Sequence, residues 1–150
     1  MAERTLVVAP SWVGDAILSE PLIARLRELR GEHEIDVLTP EWCAPVFARM
    51  RGVRRVIEST IRHGEVGWSE RRRLARELRA EPYTRALVLP NSWKSALIPW
   101  LAGIPRRTGY VGELRWVLIL RPDRLDHGIR FYEPTRFTAR RFAATVDGHL

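Results

Sequence analysis

The sequence predicts an α/β domain built on a parallel sheet flanked by helices. Three observations carry that expectation. Short apolar runs alternate with segments of helical periodicity. Helical patterns separate successive strands, which implies parallel βαβ crossovers. Glycines stand just past several helical patterns, at Gly31, Gly52 and Gly103, where a left-handed stop is often needed.

The first predicted strand is Leu6–Ala9, followed by the turn Pro10-Ser11-Trp12-Val13-Gly14-Asp15 and a helix over about Gly14–Arg30 with Leu22, Leu26 and Leu29 on one face. A second strand spans Ile35–Leu38, and a short helix follows over Pro45–Met50. A third strand at Arg55–Ile57 leads to a helix over Ser69–Ala80. A fourth strand, Ala86–Leu89, leads to a helix from Ser92 to Ala102. Pro21 and Pro99 lie inside helical patterns and predict kinks or late helix starts. Neither an internal repeat nor a low-complexity linker interrupts the series.

At 150 residues the chain can hold one domain with a real core. No run approaches the ~18 apolar residues that suggest a membrane span, and the N-terminus lacks the pattern of a signal peptide, so a cytoplasmic location is expected. Cys43 is the only cysteine, which excludes an intrachain disulfide and a cysteine metal cluster; a half-buried thiol beside Trp42 is expected. The histidines, at 33, 63, 127 and 149, lack metal-ligand spacing, and no metal site is expected. A net charge of +7 suggests an anionic partner: nucleic acid, acidic lipid or a phosphorylated sugar. Arginine carries nearly all of it, Lys94 being the only lysine. The helix near 70–79 bears Arg71, Arg72, Arg73, Arg76 and Arg79 around a buried stripe of Leu74 and Leu78. That pattern reads as a solvated amphipathic face, or as a surface resting on anionic lipid headgroups.

The turn after the first strand carries the chemistry. It delivers Asp15 to the C-terminal edge of the sheet, where open α/β sheets bind ligands. Two roles are open to a carboxylate there, capping of unpaired helix N–H groups or acid–base work. Gly14 stands alone where a dinucleotide fingerprint needs three spaced glycines, which argues against a nicotinamide-dependent dehydrogenase.

Four motifs in order, Pro10-Ser11-Trp12-Val13-Gly14-Asp15, Pro40-Glu41-Trp42-Cys43, Leu89-Pro90-Asn91-Ser92-Trp93-Lys94-Ser95-Ala96 and Gly103-Ile104-Pro105-Arg106-Arg107-Thr108-Gly109, resemble the N-terminal half of the ADP-heptose:lipopolysaccharide heptosyltransferases of type II. The resemblance runs from about Thr5 to Leu114. It implies the N-terminal, acceptor-holding Rossmann-like half of a two-domain GT-B glycosyltransferase that is inverting, metal-independent and free of cofactors. The donor substrate it implies is ADP-heptose, and the acceptor is the phosphorylated heptosyl-Kdo inner core on lipid A, reached at the inner face of the cytoplasmic membrane.

By the same resemblance, Asp15 is the base that removes the proton from the acceptor hydroxyl. A helix N-terminus favours the charged carboxylate, so proton transfer is expected late, as the oxygen bonds to the anomeric carbon. Ser11, Trp12 and Gly14 line that turn and are expected to contact the donor or a sugar; a tight turn is the other reading of Gly14, and a cover for the sheet edge the other reading of Trp12. Asn91, Ser92, Lys94 and Ser95 are expected at the acceptor. Asn91 or Ser92 is a natural N-cap, and Lys94 in a first helical turn is explicable if cation and helix attract one anion, a Kdo carboxylate or a phosphate; a plain surface lysine is the other reading. Arg106 and Arg107 are read as a loop pair suited to carboxylate or phosphate capture, or as a solvated basic loop. His63, in the His63-Gly64-Glu65 loop, is expected at the border of the acceptor groove.

Domain boundaries are expected at 1–115 for the acceptor-binding unit and 116–150 for a divergent tail. The motif likeness thins after Arg115 and is lost from His127 onward. The donor-binding half is expected to lie outside this chain, so that alone it would not form a competent transferase site. Two other function classes fit the composition: an acceptor-binding module without catalysis, and a basic nucleic-acid-binding α/β domain. No nucleic acid is expected, because the basic residues do not interleave with a stacking series of aromatics.

Overall fold

The computed structural model describes residues 4–30, 33–62 and 65–109. Five strands run parallel in the order β3-β2-β1-β4-β5: β1 Arg4–Val8, β2 Glu34–Pro40, β3 Val53–Ser59, β4 Tyr83–Val88 and β5 Arg106–Gly109. The chain starts in the centre, builds outward through β2 and β3, then crosses back to add β4 and β5 on the other side of β1. The order reverses between β1 and β4. In open α/β sheets that reversal opens a crevice at the strands' carboxyl ends.

Helices cover both faces. Strand side chains alternate between faces, so Val7, Ala9, Ile35, Val37, Leu87 and Leu89 pack with Ala16, Leu22, Ile23, Leu26, Cys43 and Phe47. These come from α1 (Val13–Leu18), α2 (Glu20–Arg30), a 3₁₀ turn (Glu41–Cys43) and α3 (Ala44–Phe47). On the opposite face Leu6, Val8, Leu38, Ile57, Ala86 and Val88 pack with α4 (Trp68–Arg79) through Leu74, Ala75 and Leu78, and with α5 (Trp93–Leu101) through Ala96 and Ile98.

The single helix expected over Gly14–Arg30 is two helices. Pro21 explains the break: it has no N–H for a carbonyl one turn back, and its ring crowds that carbonyl. The Ser19 hydroxyl, fully buried at the joint, donates to the Ala16 carbonyl at 2.6 Å. Pro99 is instead accommodated within α5, which ends before Gly103 at φ +76°. Gly52, at φ +100°, precedes β3, and Gly31 lies outside the described residues. The helix expected over Pro45–Met50 starts earlier, as the 3₁₀ turn running into α3.

Two expectations are corrected. Arg106 and Arg107 are not on a loop; they open β5, an edge strand paired to β4 with Arg85 opposite Arg106 and Val88 opposite Gly109. The strand lacks an apolar run and draws its order from β4's ladder. Arg71 is not on the solvated face of α4. It is 5% exposed, in line with Leu74, Ala75 and Leu78 at the i, i+3, i+4, i+7 spacing of a buried stripe.

Candidate functional site

The switch point is flanked by two connections. The β1–α1 connection carries Ser11, Trp12, Gly14 and Asp15; the β4–α5 connection carries Asn91, Ser92, Lys94 and Ser95. Val8 and Val88, the last residues of β1 and β4, are register partners, so the two connections leave the sheet side by side, from strands ~4.8 Å apart. The structure thus brings together eight of the residues expected at the site.

Asp15 lies in the first turn of α1. The N-cap of that helix is Trp12, at φ −104° and ψ 134°, with no side-chain cap hydrogen bond. Asp15 does not fill the role either: among the described residues no hydrogen bond or ion pair engages its carboxylate. Capping therefore does not account for it. The half-buried carboxylate stands at the positive end of a short helix.

Gly14 is not required by its own backbone, which is helical. A Cβ built there would meet nothing within 4 Å. The tight-turn reading is overturned, and what glycine preserves is open space in front of the first turn. Trp12 is 70% exposed, so it does not serve as a cover for the sheet edge.

What holds this turn is not visible in any local pattern. The Ser11 carbonyl accepts from the Trp42 indole Nε1 at 2.8 Å and from the Cys43 thiol at 3.7 Å. The segment Pro40-Glu41-Trp42-Cys43 is thereby a strut between the β2 and β1 connections. Cys43 is fully buried rather than half-buried, and burial pushes its thiol above the ordinary range. No local signal reveals such a contact across 31 positions of sequence.

On the other side, Ser92 is the N-cap of α5, its hydroxyl accepting from the Lys94 N–H at 3.3 Å. The Ser95 hydroxyl donates to the Ser92 carbonyl at 2.5 Å. Lys94 sits in the first turn, half-buried, with its carbonyl accepting from Arg71 Nη1 at 2.5 Å. Arg71 Nε donates to the Val66 carbonyl. Burial lowers the proton affinity of the Arg71 guanidinium.

Arg106 and Arg107 are not part of this cluster. Arg106 is three strand positions back from Gly109, about 10 Å from the C-terminal edge at ~3.3 Å per residue, and the two side chains leave opposite faces of the strand. Arg107 donates to the Ile104 carbonyl. His63 lies outside the described residues.

Fold and edge together define a doubly wound α/β domain with a carboxylate and a cation on the two sides of its switch point. Residues 71–135 match Glycosyltransferase family 9 (heptosyltransferase). Lipopolysaccharide heptosyltransferase 2 of Escherichia coli strain K12 is 47% identical over 116 residues, 77% of this chain and 33% of that protein. Lipooligosaccharide heptosyltransferase 2 of Haemophilus ducreyi is 40% identical over 144 residues, 95% of this chain and 40% of that protein. The solved structure of E. coli ADP-heptose LPS heptosyltransferase II superposes with a TM-score of 0.70 at 45% identity, covering 77% of this chain and 33% of that one. The relationship of this chain is to the N-terminal part of the lipopolysaccharide heptosyltransferases 2, within glycosyltransferase family 9. The chain spans about a third of the length of these relatives. The likeness also reaches beyond His127, where the motifs alone lose it. Among the described residues, no helix is long and apolar enough to cross a membrane.

Proposed function

We propose that this chain forms the acceptor-holding part of an inverting heptosyltransferase of lipopolysaccharide inner-core synthesis. The observation that carries the reading is the pairing of an Asp15 carboxylate, with no partner among the described residues, with the Ser92-capped first turn of α5 across one switch point. In the complete reaction the Asp15 carboxylate accepts the proton of the acceptor hydroxyl as its oxygen bonds to the anomeric carbon of heptose. The bond to ADP breaks on the opposite face, and ADP leaves with the electron pair. The step uses a carboxylate as base and assigns no role to a metal or cofactor. Gly14 leaves room for a sugar or diphosphate, and Trp12, at the rim, offers a face for stacking. Lys94 at the N-terminus of α5 meets a carboxylate or phosphate of the Kdo-containing inner core. Donor binding belongs to the portion of the relatives that this chain does not span.

The acceptor is a lipid, so the protein works against the inner face of the cytoplasmic membrane; among the described residues no helix is long and apolar enough to cross it. Arg72 and Arg76, exposed on α4, suit anionic headgroups. Arg73 is engaged by Glu70 and Glu77, and Arg79 donates to the Leu101 carbonyl, so they contribute less.

Binding of phosphorylated heptosyl-Kdo-lipid A to the 150-residue chain tests the acceptor assignment. The expected result is saturable binding, weakened several-fold by Lys94→Ala. Absence of binding, or the same affinity for lipid A lacking Kdo and heptose, would contradict it.

A further inference from the structure

Arg71 is the one arginine of α4 that the core absorbs, and it is an expensive residue to absorb. Taking a guanidinium out of water costs several kcal/mol unless hydrogen bonds and charge compensate. An apolar residue would complete the stripe of Leu74, Ala75 and Leu78 without that cost. Among the described residues no carboxylate pairs with Arg71. Its hydrogen bonds go to two backbone carbonyls, those of Val66 and Lys94. One belongs to the β3–α4 connection and the other to the first turn of α5, so a single side chain fastens two adjacent connections at the C-terminal edge. Only a rigid fork of several donors can reach two carbonyls from one buried position; a lysine's point charge cannot hold the same geometry.

We propose that Arg71 is a positioning residue for the Lys94 turn, holding it at the angle and place in which Lys94 meets an anionic group of the acceptor; this rests on the function proposed above. The guanidinium grips the carbonyl of Lys94 itself, so the clamp acts on the residue whose side chain is to bind. Its charge adds to the positive field of the helix N-terminus at the same corner. Arg71 does not touch the acceptor in this scheme. It acts through Lys94.

The test compares wild type, Arg71→Met, Lys94→Ala and the double variant as 150-residue chains. Two readouts are needed: amide hydrogen exchange, and affinity for phosphorylated heptosyl-Kdo-lipid A. Arg71→Met is expected to speed exchange at the Lys94 and Ser95 amides about tenfold, the scale of one lost charge-assisted hydrogen bond, while Val7 and Val8 in β1 stay unchanged. Acceptor affinity should fall several-fold, as in Lys94→Ala, and the double variant should bind no more weakly than the weaker single variant, because both changes remove one interaction. Unchanged exchange at Lys94 and Ser95, or losses that multiply in the double variant, would overturn the proposal. Should Arg71→Met fail to fold, Arg71→Lys replaces it, with a smaller rise in exchange expected; no rise is the overturning result. An affinity untouched by Lys94→Ala would refute the acceptor role of Lys94 and with it the purpose of the clamp, while the exchange data show separately whether the clamp itself exists.

Discussion

The two edges of the sheet use charge in opposite ways. At the N-terminal edge the charged groups satisfy one another. Arg4 at the start of β1 pairs with Glu34 at the start of β2 and with Glu81 before β4. The fully buried Asp36 receives Arg54 Nε at 2.8 Å, a second bond from Arg54 Nη2, and the Tyr83 hydroxyl at 2.5 Å. Arg55 pairs with Glu77 of α4. At the C-terminal edge the Asp15 carboxylate has no such partner among the described residues, Gly14 leaves open space, and Lys94 is seated on a capped helix turn. Asp36 serves the fold at one edge, whereas Asp15 at the other stands without a partner among the described residues. An aspartate's place on the sheet, more than its identity, decides whether it is paired.

Substitution of the two aspartates should therefore separate stability from function. Asp36→Ala leaves Arg54 and the buried Tyr83 hydroxyl without their acceptor and is expected to cost about 3–5 kcal/mol, measured by urea unfolding. Asp15→Ala should change stability by no more than ~0.5 kcal/mol. Equal losses at both positions would dissolve the contrast.

Smaller effects sharpen it. Trp42→Phe keeps the ring and removes the N–H that holds the Ser11 carbonyl, so a loss of about 1 kcal/mol is expected, with faster amide exchange in the 11–15 turn. Gly14→Ala should stabilise the isolated chain by up to ~1 kcal/mol, because alanine favours the helix and its Cβ meets open space. In a transferring enzyme the same methyl intrudes on the ligand and lowers the rate; a gain in both would mean that nothing binds there.

Two titrations give the smallest signals. Arg73 holds Glu70 below the usual carboxylate value, first through their hydrogen bond. The stabilisation is present above the ordinary value of 4.5 and is lost as pH falls through the folded value. With Arg73 half in solvent, the contribution is a few tenths of a kcal/mol, visible as a Glu70→Gln difference that vanishes in acid. Burial raises the Cys43 thiol above 9.0, so its protonated form contributes stability below that pH and loses it as pH rises through the folded value. Thiol alkylation at pH 8 should be slow in the folded chain and fast in denaturant.

The fold was legible where burial and periodicity agree. The first four strands in chain order, β1 to β4, stand out because each supplies an apolar run, and the sheet's parallel sense follows from the helices between them. β5 was not legible, since Arg106-Arg107-Thr108-Gly109 has no apolar pattern and is ordered by its neighbour. Pro21 signalled the interruption at Ser19, but the helical spacing that runs through it did not show that it separates two helices. The position of Asp15 and the cap at Ser92 could be read from local motifs. The struts behind them could not: Trp42 reaches Ser11 across 31 residues and Arg71 reaches Lys94 across 23. Arg71 was further disguised by four surface arginines on its own helix.

The most direct test of Asp15 as base joins residues 4–109 to the rest of the E. coli relative and measures heptose transfer by the chimera and its Asp15→Asn form. The amide keeps the shape and removes the base. An active chimera is expected, with a loss of about 10²- to 10⁴-fold in transfer rate on substitution and the melting temperature and acceptor affinity unchanged. Transfer at the parental rate by Asp15→Asn would contradict it.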